Sequence, residues 1–264
     1  MAIITISRGS YFHAKTVAEK LAAKLGYTCL SRDEVIENLG PFHLSEIKLV
    51  GDLHDAFSVL DRFPNGKSRF ITAMRCALLE RFCQDNVVYH GLSGHHFLPG
   101  ISHVLKVRIT ADLDDRVQKE AARTGMSAHD ARYKLKRDDE ERRKWCMYLY
   151  GVDIWNPNNY DAVLCIHQIS VDEAVELLAM AARLPSFQAG AESRTALEDL
   201  ALGARIQCAL TDYPHAVVNA VEGQVTVTIK APEEQKAQIG DTITSIVTDI
   251  PQVQALDLQI MPYY

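Results

Sequence analysis

The sequence predicts an α/β fold of P-loop NTPase type: a five-stranded parallel sheet with helices on both faces, followed by a small α+β unit of element order α-β-β-α-β. Three observations predict it. Five short apolar runs, at residues 3–6, 27–30, 86–90, 104–109 and 160–166, are separated by stretches of helical periodicity, and every parallel crossover needs such a helix. Residues 185–195 then lose periodicity and turn to Ser, Gln, Ala, Gly and Glu, the composition of a linker. Beyond them Val225, Val227 and Ile229 alternate with Thr226, Thr228 and Lys230 after a Glu222-Gly223 turn, as in a hairpin with one buried and one wet face. The expected division is 1–184, a linker over 185–195, and 196–264, with the first part folding on its own.

The first strand, with Ile3, Ile4 and Ile6, leads through a loop to a helix carrying Val17, Ala18, Leu21 and Leu25 and stopped by Gly26. Between them, Gly9-Ser10-Tyr11-Phe12-His13-Ala14-Lys15-Thr16 follows the pattern G-x-x-x-x-G-K-[ST], with Ala14 in place of the second glycine. Such a loop turns successive backbone N–H groups toward a phosphate, while the lysine neutralises the terminal phosphates and the hydroxyl holds magnesium. Gly9, Ser10, His13, Ala14, Lys15 and Thr16 are therefore candidate phosphate-binding residues, with Lys15 the catalytic cation and Thr16 the metal ligand. Ala14 costs on the order of 1 kcal/mol or more if its position needs positive φ, and little in helical geometry. The competing reading is an ordinary strand-to-helix turn with a solvated lysine.

Ser31 and Glu34 have capping-box spacing and open a helix that runs to Asn38. A helix is expected over 44–63 (Leu49, Leu53, Phe57, Leu60), closed by Pro64-Asn65-Gly66, and another over 68–83 before the third strand. After the fourth strand come helices over 112–123 and 127–150, and after the fifth a helix capped by Ser170 and Glu173. The tail reads as helix 197–210, strands 216–221 and 224–230, helix 233–248 and strand 253–260.

In open parallel sheets ligands bind at the carboxyl ends of the strands, where Arg8, His90, His95 and His96 fall. Arg8 and His90, with Arg69 and Arg75 on the preceding helix, are candidates for contact with a phosphate acceptor. Between residues 132 and 144 lie seven basic side chains, among them Arg137 and Arg142. A mobile flap carrying arginines is what phosphoryl transfer between nucleotides requires, since its catalysis is mostly positioning and charge neutralisation. The same run also pairs as Arg137–Glu141, Asp138–Arg142, Asp139–Arg143 and Glu140–Lys144 at i,i+4 on a solvated helix. The third strand ends without the acid that organises magnesium in many P-loop enzymes.

A net charge of −6 argues against nucleic acid as the main partner, and six cysteines without metal-ligand spacing read as small core residues in a reducing compartment. No apolar run approaches the roughly 20 residues of a membrane span, and a cytoplasmic protein is expected.

The blocks ITISRGSYFHAKTVAEKLAAKLG, NVVYHGLSGHHFL, HVLKVRITADLDDRV and KRDDEERRKWCMYLYGVDIWNPNNYDAVL resemble, in order and spacing, the cytidylate kinase-like family of P-loop proteins over about residues 1–184. The resemblance implies ATP held by Gly9, Lys15 and Thr16, magnesium, a lid carrying Arg137 and Arg142, and a nucleoside monophosphate acceptor. It does not carry over the residues that read cytosine, and His90 stands at the corresponding strand end. The tail resembles a BON domain, through its element order and the EGQVTV hairpin, which implies contact with phospholipid or another ligand. A regulator that binds nucleotide without turnover is the alternative to a kinase.

Overall fold

The computed structural model describes residues 2–37, 39, 65–91 and 93–262, so the helix expected over 44–63 lies outside the described residues. Five parallel strands form one sheet: β1 (Ile3–Arg8), β2 (Thr28–Ser31), β3 (Val87–Gly91), β4 (Val104–Ala111) and β5 (Ala162–Ile166), in the order β2-β3-β1-β4-β5. Strand β1 is central because all six of its residues are buried, which leaves it no wet face for an edge. Its register sets Ile6 beside His90 and Ser7 beside both Gly91 and Arg108. His90, Arg108 and Arg8 thus stand at three successive levels at the carboxyl edge.

Helices α1 (Tyr11–Leu25) and α6 (Val171–Ala181) cover one face, packing Val17, Leu21 and Leu178 on Ile4, Ile6, Leu105 and Val107. The opposite face, around Ile3, Tyr89 and Val104, is covered by α2 (Arg32–Glu37), α3 (Gly66–Phe82), α5 (Ala128–Tyr150) and α7 (Ala191–Ala209). Helix α4 (Leu113–Thr124) packs on α5. The capping signals were sufficient to set helix starts. Ser31 and Glu34 exchange both capping-box hydrogen bonds, as do Ser170 and Glu173, and Ser127 accepts from the Asp130 N–H.

Helix α7 departs from the expected boundary. Residues 191–195, read as linker, are its first turn, and a 3-10 turn occupies Pro185–Phe187. Composition alone concealed this, because the helix buries a different stripe at each end. Leu197, Ala201 and Ala204 complete the core under α3, whereas Leu202 and Ile206 enter the core of the small unit.

The small unit is a three-stranded sheet of order β6-β7-β8, from β6 (Val217–Val221), β7 (Gln224–Lys230) and β8 (Ala255–Met261), with α8 (Lys236–Thr248) as the crossover to the parallel β8. Glu222 and Gly223, at φ 47° and 78°, form the tight turn that joins β6 to β7. Cys76 and Cys146 are buried as expected of small core residues, but Cys83 and Cys165 are exposed. Among the described residues no helix is long and apolar enough to cross a membrane.

Candidate functional site

The eight-residue loop expected between β1 and α1 is two residues long. Gly9 and Ser10 both donate their N–H groups to the Ile109 carbonyl, and α1 begins at Tyr11, so Ala14, Lys15 and Thr16 lie inside the helix. The physical reason is Ala14. Without glycine there, residues 11–14 have no need of left-handed backbone, and the alanine methyl is fully buried between α1 and the sheet.

Within the helix, Lys15 is half-exposed and 3.8 Å from Glu19, and the Thr16 hydroxyl donates to the Phe12 carbonyl at 3.0 Å. His13 is buried, with Nδ1 at 2.8 Å from Ser10 Oγ and Nε2 at 2.6 Å from Lys119 Nζ and 3.2 Å from Asp115. Burial, then the Lys119 ammonium, holds its pKa down; neutral His13 therefore donates from Nδ1 to Ser10 and accepts at Nε2 from Lys119. The first backbone hydrogen bond of the helix runs from Ala14 N–H to Ser10 O, which leaves the N–H groups of Tyr11, Phe12 and His13 at an amino end suited to an anion.

Two buried arginines flank that turn. Arg8 donates from Nε to His90 Nδ1 and from Nη2 to the His90 carbonyl, each at 3.0 Å, lies 3.7 Å from Asp33, and stacks over Tyr11 at 4.8 Å. Burial works to raise the Asp33 carboxyl, but the Arg32 and Arg8 guanidinia outweigh it and leave the pKa below its usual value. Arg108 differs. It is buried, donates to Ser7 Oγ at 3.4 Å and faces the Tyr160 ring at 5.9 Å, and among the described residues no carboxylate pairs with it. It also lies beside Gly9, where an added Cβ would come within 3.3 Å of its Nη2 and 2.6 Å of Thr110 Cγ2. Glycine is needed there for close approach.

The basic run of α5 divides by face. Arg142 is largely buried and pairs with Asp139, which also takes both guanidinium nitrogens of Arg116 at 2.8 Å. Arg137 is exposed. Arg142–Asp139, Arg143–Glu140 and Lys144–Glu141 pair at i,i+3, and Arg143 also turns to Asp153. Arg69 and Arg75 are not brought to the strand ends. They line hollows that α3 forms with α7 and, for Arg75, with β6.

The sequence profile of the cytidylate kinase-like family matches residues 3–168. The chain belongs to that family. No curated protein sequence matches it. Among solved structures it is similar to an uncharacterized protein from Eubacterium ventriosum, at 17% identity and TM-score 0.52, over 69% of this chain and 98% of that one. It is also similar to the shikimate kinase of Bacteroides thetaiotaomicron (13% identity, TM-score 0.43, 69% and 99%) and to a protein from Thermus thermophilus (20%, 0.43, 69% and 97%). At these identities the likeness is one of fold.

For this family member, the nucleotide half of the expected ligand fits the residues present: a buried guanidinium with no ion pair among the described residues lies beside Gly9 and the first N–H groups of α1. The magnesium half does not fit. Thr16 is turned back on its own helix, and no cluster of three metal-ligating side chains occurs among the described residues. Arg108 escaped the sequence reading although a signal existed, a lone guanidinium within the apolar run Val104-Leu-Lys-Val107-Arg108-Ile109. Asp33 and Tyr160 gave no such signal, because only folding brings them beside Arg8 and Arg108.

The histidines give the site a pH signature. Burial, then the Arg8 charge, pushes His90 down to about 4, and burial, then His96, pushes His95 to about 3, from 6.5. Below pH 6.5 the unfolded chain takes up these protons first, so stability falls as pH is lowered from about 6.5 toward 4. Asp33, Glu34 and Glu120 are also held below their usual values and add to the decline at its acid end. Urea unfolding at pH 7, 5.5 and 4.5 should show the decline, and His90→Gln should flatten it by up to about 1.4 kcal/mol per pH unit. A flat parent profile would contradict the buried neutral state.

Proposed function

We propose that the chain is a nucleotide-binding phosphotransferase that moves the γ-phosphate of ATP to a nucleoside monophosphate, CMP-like acceptors included. The observation that carries this reading is Arg108, a buried cation that forms no ion pair with a carboxylate among the described residues, beside Gly9 and the amino end of α1. In the reading, the N–H groups of Tyr11, Phe12 and His13 and the Arg108 guanidinium hold phosphate oxygens, and Arg8, fixed by His90 and Asp33, faces the acceptor side. Arg142 and Arg137 supply charge from the α5 lid, with Arg142 already turned inward. Thr16 holds no magnesium in this reading, because its hydroxyl is bonded to the Phe12 carbonyl. The protein's own work is to bind, orient and neutralise, which is most of phosphoryl transfer.

A second reading, a nucleotide-binding regulator acting through a BON-like C-terminal unit that meets phospholipid or another ligand, is favoured by one observation. Lys15 and Thr16 are engaged with Glu19 and Phe12 rather than with the strand ends. The two readings separate in one experiment: calorimetric titration with ATP and ATP·Mg, followed by an ADP-release screen over nucleoside monophosphates. Transfer that Lys15→Ala abolishes, with Lys144→Ala unchanged, supports the kinase. ATP binding without transfer to any acceptor supports the regulator, and absence of ATP binding overturns both.

A further inference from the structure

Between α3, the loop at residues 99–101, α7 and β6 lies an open groove of about 310 Å³, away from the strand ends. Arg75 lines it. Burial pulls the Arg75 guanidinium below its ordinary pKa with no neighbouring charge opposing, and no described carboxylate pairs with it. The one acid in the lining, Asp199, is already engaged, since its carboxylate accepts from the Glu222 N–H at 2.7 Å. The rest of the wall combines apolar Ile101, Leu200 and Val218 with polar Asn219. Space is left over Gly203, where an added Cβ would meet only the Ala220 methyl, at 4.0 Å.

We propose that this groove is a second ligand site, taking a small molecule with one anionic group, carboxylate or phosphate, on an apolar body. A half-buried guanidinium with no carboxylate paired to it among the described residues gains most from an anion, so the groove favours anions over cations and neutral molecules. The apolar wall supplies the contact area. The volume lies at the lower end of the range for small-molecule sites, and a seam between two packed units is a usual place for one. The ligand would bridge α3 and β6, and so join the large sheet to the small one.

The probe is 8-anilinonaphthalene-1-sulfonate, an anion on an aromatic body, with uncharged N-phenyl-1-naphthylamine as its control, titrated by fluorescence into the full chain. One saturable site is expected. Arg75→Gln should weaken the anionic probe by about tenfold or more, the scale of one charge-assisted contact, and leave the neutral probe within about twofold. Gly203→Leu, which fills the groove without touching a charge, should abolish binding of both probes. Displacement by benzoate or by phenyl phosphate identifies the preferred anion. The proposal is overturned if no saturable binding occurs, if Arg75→Gln, folded by circular dichroism, binds the anionic probe as the parent does, if Gly203→Leu leaves it bound, or if saturating ATP displaces it.

Discussion

Replacing Arg108 by methionine is expected to weaken ATP binding by roughly 10- to 100-fold, while the ligand-free protein stays as stable as the parent or becomes more stable. The two effects have one cause. Among the described residues this buried guanidinium has Ser7 Oγ at 3.4 Å and the Tyr160 ring as contacts and no carboxylate in an ion pair, so it has given up water for little in return. The desolvation cost of such a group is several kcal/mol. Methionine has similar length and no charge, so it removes that cost and keeps the packing. Phosphate oxygens would restore what Arg108 lacks, through hydrogen bonds worth about 1.5–3 kcal/mol each. Calorimetry with ATP and a thermal melt without ligand check both halves. Unchanged ATP affinity would remove Arg108 from the site and, with it, the observation on which the functional reading rests. Unchanged affinity with a lowered melting temperature would make Arg108 a structural residue.

A chain ending at residue 184 is expected to lose most of its stability, although the sequence pattern of five strands is complete by then. Its missing part includes the α7 stripe of Leu197, Ala201 and Ala204, which lies in the same core as Leu79, Phe82 and Phe70. Fully burying a leucine contributes about 1.5–3 kcal/mol. Adding the alanines, and the α3 surface that their loss would expose, brings the change to roughly 4–8 kcal/mol, comparable with a total stability of about 5–15 kcal/mol. Leu197→Ala in the full chain isolates the largest piece and should cost about 2–5 kcal/mol, read from urea unfolding. Proteolysis at 185–190 should yield two fragments that remain associated. A 1–184 chain melting at the parent temperature would show that α7 belongs energetically to the small unit alone.

The sequence by itself determined the sheet and its order of construction. Five apolar runs with helical stretches between them leave little choice but a parallel sheet, and short polar signals such as Ser31-Arg-Asp-Glu34 and Ser170-Val-Asp-Glu173 fixed helix starts because capping is a local interaction over three residues. It also placed Gly9, Arg8 and His90 at strand ends, which chain order alone locates. Only the tertiary structure decided whether Gly9 to Thr16 forms a cradle or a helix. The answer depended on whether the Ala14 methyl could be buried against the sheet, a contact made with residues far away in sequence. Long-range packing also decided that Arg69 and Arg75 face α7, that Arg142 points inward while Arg137 does not, and that Arg108 has no ion pair among the described residues. A side chain's charge is written in the sequence. What neutralises it is set by which elements the fold brings beside it, and that is a property of the whole core.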